Sequence, residues 1–220
     1  MPDYIKRLIA EGEHQMLDFK FEVSDFRKIA RTLVAFSNTD GGRLLLGVKD
    51  NGSIAGVRSE EEYFMIDGAS RIYCKPEVPF RIREWQVEGR KVVEVIISPG
   101  DDKPYMAQDA EGRWTAFIRQ GDQNLAVSTV MLKVWERQKS GKQTTIRFRE
   151  AEGALLTYLE KHSIITVPQF RRLAGLSNYH AERILVDFIM LGLVKIEHSE
   201  AQAIFSLAQG YQDIIEGLAW

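Results

Sequence analysis

The stretch SDFRKIARTLVAFSNTDGGRLLLGVKDNG, residues 24–52, decides the fold of the first part of the chain. Ser24 is suited to cap a helix, and apolar residues recur at helical spacing from there to Phe36. An apolar run at 43–49 then predicts a strand, and the turn residues at 50–53 predict a hairpin. The stretch therefore predicts a helix that leads directly into a β-sheet.

Segments on both sides of this stretch continue the mixture of helices and strands. We predict strands at 16–21, 80–87, 91–98 and 114–119, a helix that a Ser-x-x-Glu capping box opens at 59–62, and a closing helix at 127–137. Such a mixture is typical of the α+β class. We therefore expect a mixed β-sheet with flanking helices over residues 1–137.

A polar stretch at 138–145, QKSGKQTT, is interpreted as a linker to a second, smaller region. Helices are predicted there at 148–162, at 167–174 with Thr166 as cap, and at 178–191 with Ser177 as cap. Two apolar runs around a polar middle then favour a β-hairpin at 193–207. Three helices followed by a hairpin are the order of a winged helix-turn-helix. We therefore expect a small winged-helix domain at 146–208 and a tail helix at 209–220.

Composition and charge limit the classes of protein that the sequence fits. Of the 220 residues, 45% are hydrophobic, which is enough for packed cores. The sequence has no long apolar run and no signal-peptide pattern, so we expect a cytoplasmic protein without a membrane partner. Cys74 is the single cysteine, and no zinc-ligand spacing occurs. Residues 1–140 contain 21 Lys and Arg against 22 Asp and Glu, and residues 141–220 contain 8 against 9, so nucleic-acid binding would require a local basic patch.

Several motifs of the first region occur in the order of a known family. They read EHQMLDFK at 13–20, AFSNTDGG at 35–42, LGVKDNG at 46–52, KPY at 103–105 and IRQGDQN at 118–124. In this order the motifs resemble the Schlafen-like AlbA family over roughly residues 5 to 130. Domains of that family are commonly described as DNA-binding modules, and in bacterial regulators a winged helix often follows them. The resemblance therefore implies nucleic acid as a partner.

The same family offers a second hypothesis, because the related core of vertebrate Schlafens is linked to cleavage of structured RNA through three acidic residues. Glu13, Asp18 and Asp50 stand at the matching positions, with an aspartate at 18 where glutamate is usual. Three converging carboxylates would hold Mg²⁺ or Mn²⁺ for hydrolysis, and otherwise we expect no cofactor. The alternative is structural: Asp18 is a solvated strand residue or pairs with Lys20 or Arg43, and Asp50 begins the hairpin turn.

Two further features of the motifs would suit a phosphate backbone. The glycines at 41–42 either form the turn that ends the helix or bring backbone N–H groups close to a phosphate. Five basic residues within or beside the motifs would cradle nucleic acid if the fold gathers them, and otherwise they are scattered surface charge. They are Lys20, Arg43, Lys49, Lys103 and Arg119.

In the predicted winged helix, the start of the third helix is where side chains usually meet base edges. Candidates for base contacts are Asn178, Tyr179, His180 and Arg183, and candidates for phosphate contacts are Arg171 and Arg172. Two acidic residues of the same helix, Glu182 and Asp187, oppose DNA binding. A winged helix also serves dimerisation or protein contacts, and the amphipathic tail at 211–220 favours a homodimer.

The sequence therefore leads to three hypotheses about function. The favoured one is a transcriptional regulator that binds duplex DNA and is not an enzyme. The alternatives are a metal-dependent ribonuclease that acts on structured RNA, and a protein-interaction module with a degenerate site. The ribonuclease requires Glu13, Asp18 and Asp50 to converge on one metal ion.

Overall fold

The computed structural model describes residues 2–57, 61–199 and 201–218 and has the α+β class that the sequence predicts. The described residues form eight helices, two four-stranded sheets and one two-stranded sheet. The chain divides into two compact units, which we call unit 1, ending at Ala126, and unit 2, beginning at Val127. Within the described ranges, every helix is too short or too polar to cross a membrane.

The described residues of unit 1 form two four-stranded sheets and three helices. Its elements are α1 Pro2–Glu11, β1 Leu17–Lys20, α2 Phe26–Asn38, β2 Gly42–Leu46, α3 Glu61–Tyr73, β3 Cys74–Lys75, β4 Phe80–Val87, β5 Arg90–Ile97, β6 Met106–Gln108, β7 Trp114–Gln120 and β8 Gln123–Ala126. The first sheet has the order β1-β2-β5-β4, in which β1 and β2 are parallel and the other pairs are antiparallel. This sheet is therefore mixed, as predicted. The second sheet, β3-β6-β7-β8, is antiparallel.

Helix α2 is the central element of unit 1. It begins one residue later than predicted, because Asp25 rather than Ser24 is the N-cap and accepts a hydrogen bond from the backbone N–H of Arg27 at 2.8 Å. Leu33 of this helix packs in one core with residues of both sheets, and residues 32–38 are all buried. The polar residues at the end of α2 are therefore placed inside the protein, where each needs a hydrogen-bond partner.

Helix α1 covers the opposite face of the first sheet. Ile5 of α1 packs in a second core with Leu17 and Phe19 of β1 and with Leu45 of β2. Side chains alternate between the two faces of a strand, so Asp18 points to the face that α2 covers. One face of this sheet therefore packs against α1 and the other against α2, and each strand side chain points to one of these two faces.

Unit 2 contains five helices and a β-hairpin among its described residues. They are α4 Thr129–Ser140, α5 Glu150–His162, α6 Val167–Leu173, α7 Asn178–Met190, β9 Val194–His198, β10 Ala203–Leu207 and α8 Tyr211–Leu218. Thr166 and Ser177 cap α6 and α7 as the sequence predicts. Ile165 exchanges two backbone hydrogen bonds of 2.9 and 2.8 Å with Phe205, so a single bridge joins the chain before α6 to the hairpin.

Helix α4 packs within unit 2, whereas the sequence placed it at the end of the first domain. Val130 and Val134 of α4 are buried in the core of unit 2. In the predicted linker 138–145, the first residues continue α4, and residues 142–149 have no regular secondary structure. The compact units therefore divide upstream of the predicted linker. The capping box predicted at 59–62 begins outside the described residues.

Candidate nucleic-acid interface

The AFSNTDGG motif forms a buried hydrogen-bond network. Asn38 is 3% exposed, and its amide donates to the carbonyl oxygens of Tyr105 and Phe117 at 2.7 and 2.8 Å. The Asn38 side-chain oxygen accepts from the backbone N–H of Tyr105 at 2.8 Å. The hydroxyl of Thr39 accepts from the backbone N–H of Arg119 at 2.9 Å. These bonds fix the end of α2 to β7 and to the residue before β6.

The glycines at 41–42 are required by the packing of this network. Gly41 has a φ of +72°, and its N–H donates to the carbonyl of Phe36 at 2.9 Å, which ends α2. A Cβ atom at Gly41 would lie 2.7 Å from the carbonyl oxygen of Ile97, and one at Gly42 would lie 2.5 Å from the Phe36 ring. The geometry supports the turn interpretation, because the Gly41 N–H is already used within the fold.

Arg119 is buried, with 1% of its side chain exposed. Its guanidinium lies 3.3 Å from the Asp18 carboxylate, and it donates to the Leu17 carbonyl and the Asn124 side chain at 3.2 Å each. The same group lies 5.3 Å from the centre of the Phe36 ring. Arg119 therefore joins β1 to β7 inside unit 1, and it does not lie on a surface where a phosphate would approach.

The structure brings together two of the three carboxylates of the ribonuclease hypothesis. Burial raises the pKa of Glu13, and a hydrogen bond shared with Asp18 raises it further. Asp18 also pairs with Lys20 at 2.9 Å, which is one of the structural alternatives. Asp50 is exposed in the hairpin turn. In the described part of the chain, no three His, Cys, Asp or Glu side chains are grouped so that they would hold a metal ion.

The other basic residues of the motifs have separate surroundings. The Arg43 guanidinium lies 3.1 Å from the carboxylate of Glu94, which is fully buried. Leu44, the neighbour of Arg43, packs on the α2 side of the first sheet, so Arg43 lies on the α1 side. Lys20 is on the α2 side with Asp18, and thus Arg43 and Lys20 face in opposite directions.

Lys49 and Lys103 are the last two of the five basic residues that were predicted to contact nucleic acid. The Lys49 ammonium lies 5.3 Å from the centre of the Phe21 ring, and Lys49 is exposed. The Lys103 ammonium is 3.5 Å from the carbonyl oxygen of Thr39 and is held beside the network. Unit 1 therefore does not gather the five basic residues into one cradle.

In unit 2, the residues predicted to contact bases lie together at the start of α7. Asn178 and His180 are exposed, and Tyr179 is 62% exposed. Arg183 is exposed one helical turn later, while Arg171 and Arg172 are exposed on α6. The first turn of α7 therefore presents polar side chains and an aromatic ring to solvent.

The acidic residues of α7 are neutralised by α4. Lys133 lies 2.6 Å from one oxygen of Glu182, and Thr129 donates to the other at 2.9 Å. Burial alone would raise the pKa of Glu182, but these hydrogen bonds outweigh it and lower the pKa. Arg137 lies 2.8 Å from Asp187. The two carboxylates that oppose DNA binding in the sequence are therefore paired within unit 2.

Beside α7 lies a surface cleft of about 360 Å³ that we call the arginine cleft. It is lined by Arg137, Gln143, Thr145, Ile146, Arg147, Arg149, Glu152, Arg183 and Asp187. All but one of these side chains are polar or charged. The cleft is thus a concave surface where several guanidinium groups meet.

The hydrogen-bond network of unit 1 lies in the part of the chain that matches a known family. A family model for the AlbA_2 domain of Schlafen proteins matches residues 13–128, which is more than half of the chain. The chain belongs to the Schlafen AlbA_2 family. The matched region of this AlbA_2 protein runs from Glu13 through the end of β8 and includes Asn38, Arg119 and Asn124.

Two solved structures are similar to this AlbA_2 protein at low sequence identity. The DIP2311 protein from Corynebacterium diphtheriae is 17% identical, with a TM-score of 0.46 over 71% of this chain and 38% of that one. This chain thus spans well under half of the Corynebacterium protein. The N-terminal domain of a RecG-related protein from Nitrosomonas europaea is 17% identical, with a TM-score of 0.40 over 66% of this chain and 95% of that one. No curated protein matches the chain.

Sequence reasoning missed two groups of residues in this AlbA_2 protein. The structural role of Asn38 was missed, although an asparagine directly after the apolar face of a helix is a signal for a buried hydrogen-bonding residue. Arg137, Arg147 and Arg149 of the arginine cleft were missed because no motif marked them, whereas Arg183 was among the predicted residues. Residues 137–149 contain five Lys and Arg and no Asp or Glu, and this charge run was the available signal.

Proposed function

We propose that this AlbA_2 protein is a DNA-binding transcriptional regulator whose unit 2 is a winged helix. Membership of the family supports a nucleic-acid-related function, and the proposal assigns the reading of DNA to α7. The observation that carries it is the exposed first turn of α7, within the order of three helices and a hairpin that a winged helix requires. The bridge between Ile165 and Phe205 of β10 supports the same architecture.

Each predicted residue has a chemical role in this proposal. Arg183 suits bidentate recognition of guanine, and Asn178 suits adenine, because their donor and acceptor groups match those base edges. The Asn178 amide donates to Glu182 at 2.8 Å and would exchange that bond for one to a base. Arg171 and Arg172 on α6 would contact phosphates, which positions α7 without specifying sequence.

Unit 1 has a different role in the proposal. Its family motifs hold the sheets and α2 together, so we assign it to scaffolding and to contacts with a partner or ligand. The homodimer stays a prediction. The amphipathic tail, which favoured a homodimer in the sequence, now supports it less. Ile214 and Ile215 of the tail helix α8 pack against the core of unit 2, so this apolar face is used within the chain.

The experiment that tests the function is a titration of the full chain with labelled duplex DNA and with structured RNA. Salt is varied from low to moderate, Mg²⁺ or Mn²⁺ is added, and the products are separated on a gel. We expect duplex binding that weakens with salt, and no cleavage. Arg183→Ala should weaken duplex binding by about 1–3 kcal/mol, as for the loss of one bidentate base contact.

A matched control is Lys161→Ala, which removes an exposed positive charge from the end of α5. Its duplex affinity should stay close to that of the unmodified chain. Metal-dependent cutting of RNA that Asp50→Asn abolishes would replace the regulator with the ribonuclease. A chain that binds no nucleic acid even at low salt would favour the protein-interaction module.

A further inference from the structure

Five of the nine residues that line the arginine cleft belong to residues 142–149, the segment between α4 and α5. Residues 142–149 have no regular secondary structure, and most of their side chains are exposed. Ile146 packs against the core, and the ring of Phe148 lies 6.3 Å from that of Phe188 in an edge arrangement. Arg147 and Arg149 occupy the intervening positions and are exposed. Ile146 thus anchors the segment, whereas Phe148 is 45% exposed and the two arginines face solvent.

The carboxylates of the cleft already have partners. Asp187 pairs with Arg137 at 2.8 Å, and Glu152 accepts a hydrogen bond from the backbone N–H of Arg149 at 3.2 Å. Among the residues that the structure describes, none forms an ion pair with Arg147, Arg149 or Arg183. Four guanidinium groups and two carboxylates line the cleft, so its lining carries two more positive than negative charges.

The chemistry of the cleft matches a phosphate group. Guanidinium groups bind phosphate through paired, charge-assisted hydrogen bonds, and several of them around one cleft raise the local positive potential. Arg183 connects the cleft to α7, because it lines the cleft and lies one turn beyond the exposed start of that helix. A nucleic-acid strand that passes α7 would therefore bring its backbone past Arg147 and Arg149.

We propose that the segment 142–149 is a phosphate clamp that holds the nucleic-acid backbone beside α7 through Arg147 and Arg149. This inference rests on the proposed function of α7 and names the contacts that position it. The clamp supplies affinity without sequence preference, because phosphate contacts carry no base information. It also explains how a chain with a net charge of −2 presents a local basic surface.

The test measures the duplex affinity of the full chain against salt concentration, with a labelled random-sequence duplex as probe. Each neutralised phosphate contributes about 0.9 to the slope of log affinity against log salt, so Arg147→Ala/Arg149→Ala should lower the slope by about 2. At moderate salt this corresponds to a loss of affinity of roughly 10- to 100-fold. Arg147→Lys/Arg149→Lys keeps the charges and should retain the slope. Circular dichroism checks that the variants are folded.

The matched control is Lys28→Ala/Lys161→Ala, which removes two exposed positive charges outside the cleft. Its slope should equal that of the unmodified chain. If the arginine variant keeps the full slope while Asn178→Ala/His180→Ala abolishes binding, α7 binds DNA and the clamp is wrong. If the arginine and control variants lose equal slope, a specific clamp is likewise overturned.

A final arm separates nucleic acid from a free phosphate compound as the occupant of the cleft. Inorganic phosphate and ATP are titrated into the unlabelled chain by calorimetry. Binding of ATP that depends on Arg147 and Arg149, in a chain that binds no duplex, would overturn both the clamp and the proposed function. Duplex binding with the expected slope, and no measurable ATP binding, would support both.

Discussion

Replacing Asn38 with alanine should destabilise unit 1 more than any exposed asparagine does. The substitution removes two donors and one acceptor, so the carbonyls of Tyr105 and Phe117 and the N–H of Tyr105 lose their partners at once. Water cannot readily replace them, because Asn38 is 3% exposed at the end of a helix packed between two sheets. The cost is therefore that of three buried backbone groups left unpaired.

The magnitude follows from those three groups. Each buried group without a partner costs about 1–3 kcal/mol, and partial relaxation reduces the sum to roughly 3–6 kcal/mol. This is a large part of the typical free energy of unfolding, which is about 5–15 kcal/mol. The corresponding fall in melting temperature is about 10–20 °C for a protein of this size.

The assay uses Cys74, which is the single cysteine of the chain and is buried in the core of unit 1. Pulsed thiol labelling across a urea titration therefore reports the unfolding of unit 1. Asn51→Ala is the control, because Asn51 is exposed and accepts one bond, from the backbone N–H of Ser53 at 3.0 Å. A loss below about 1 kcal/mol for Asn38→Ala, or a loss equal to that of Asn51→Ala, would refute the reasoning.

Three further outcomes follow from buried groups. Arg119→Met should cost about 3–5 kcal/mol by the same urea titration, because it removes a buried partner of Asp18, while the duplex affinity of the folded variant stays unchanged. His198 accepts from the backbone N–H of Ser128 at 3.2 Å, and burial lowers its pKa. The unfolded chain therefore binds this proton more readily, so the urea midpoint of unit 2 should fall as pH drops below about 6.5, and His198→Phe should remove that fall. Burial raises the pKa of Cys74 to about 12, so the native thiol should react with a disulfide reagent far more slowly than the unfolded one, and equal rates would contradict its placement.

The predictions that succeeded rest on interactions between near neighbours in sequence. Strand β4 was placed at residues 80–87 as the structure has it, and the caps Thr166 and Ser177 were identified correctly. Strands β3, β6 and β8 were missed, because strands of two to four residues are too short to show a period. Helix α4 was found, but its packing in unit 2 was not, because an apolar face does not specify which core it joins.

The sequence by itself determined the α+β class, the family motifs and the principal helices, since periodicity, caps and turn residues act over a few positions. The tertiary structure decided what the motif residues do. Asn38 bonds to residues 67 and 79 positions away, and Arg119 pairs with Asp18 across 101 positions. The packing of the two sheets on α2 decides which buried polar groups contact each other. Because of that packing, Arg119 is buried, although the sequence predicted it on the surface. For the same reason, Arg147 and Arg149, which no sequence motif marked, lie beside α7 because Ile146 packs against the core of unit 2.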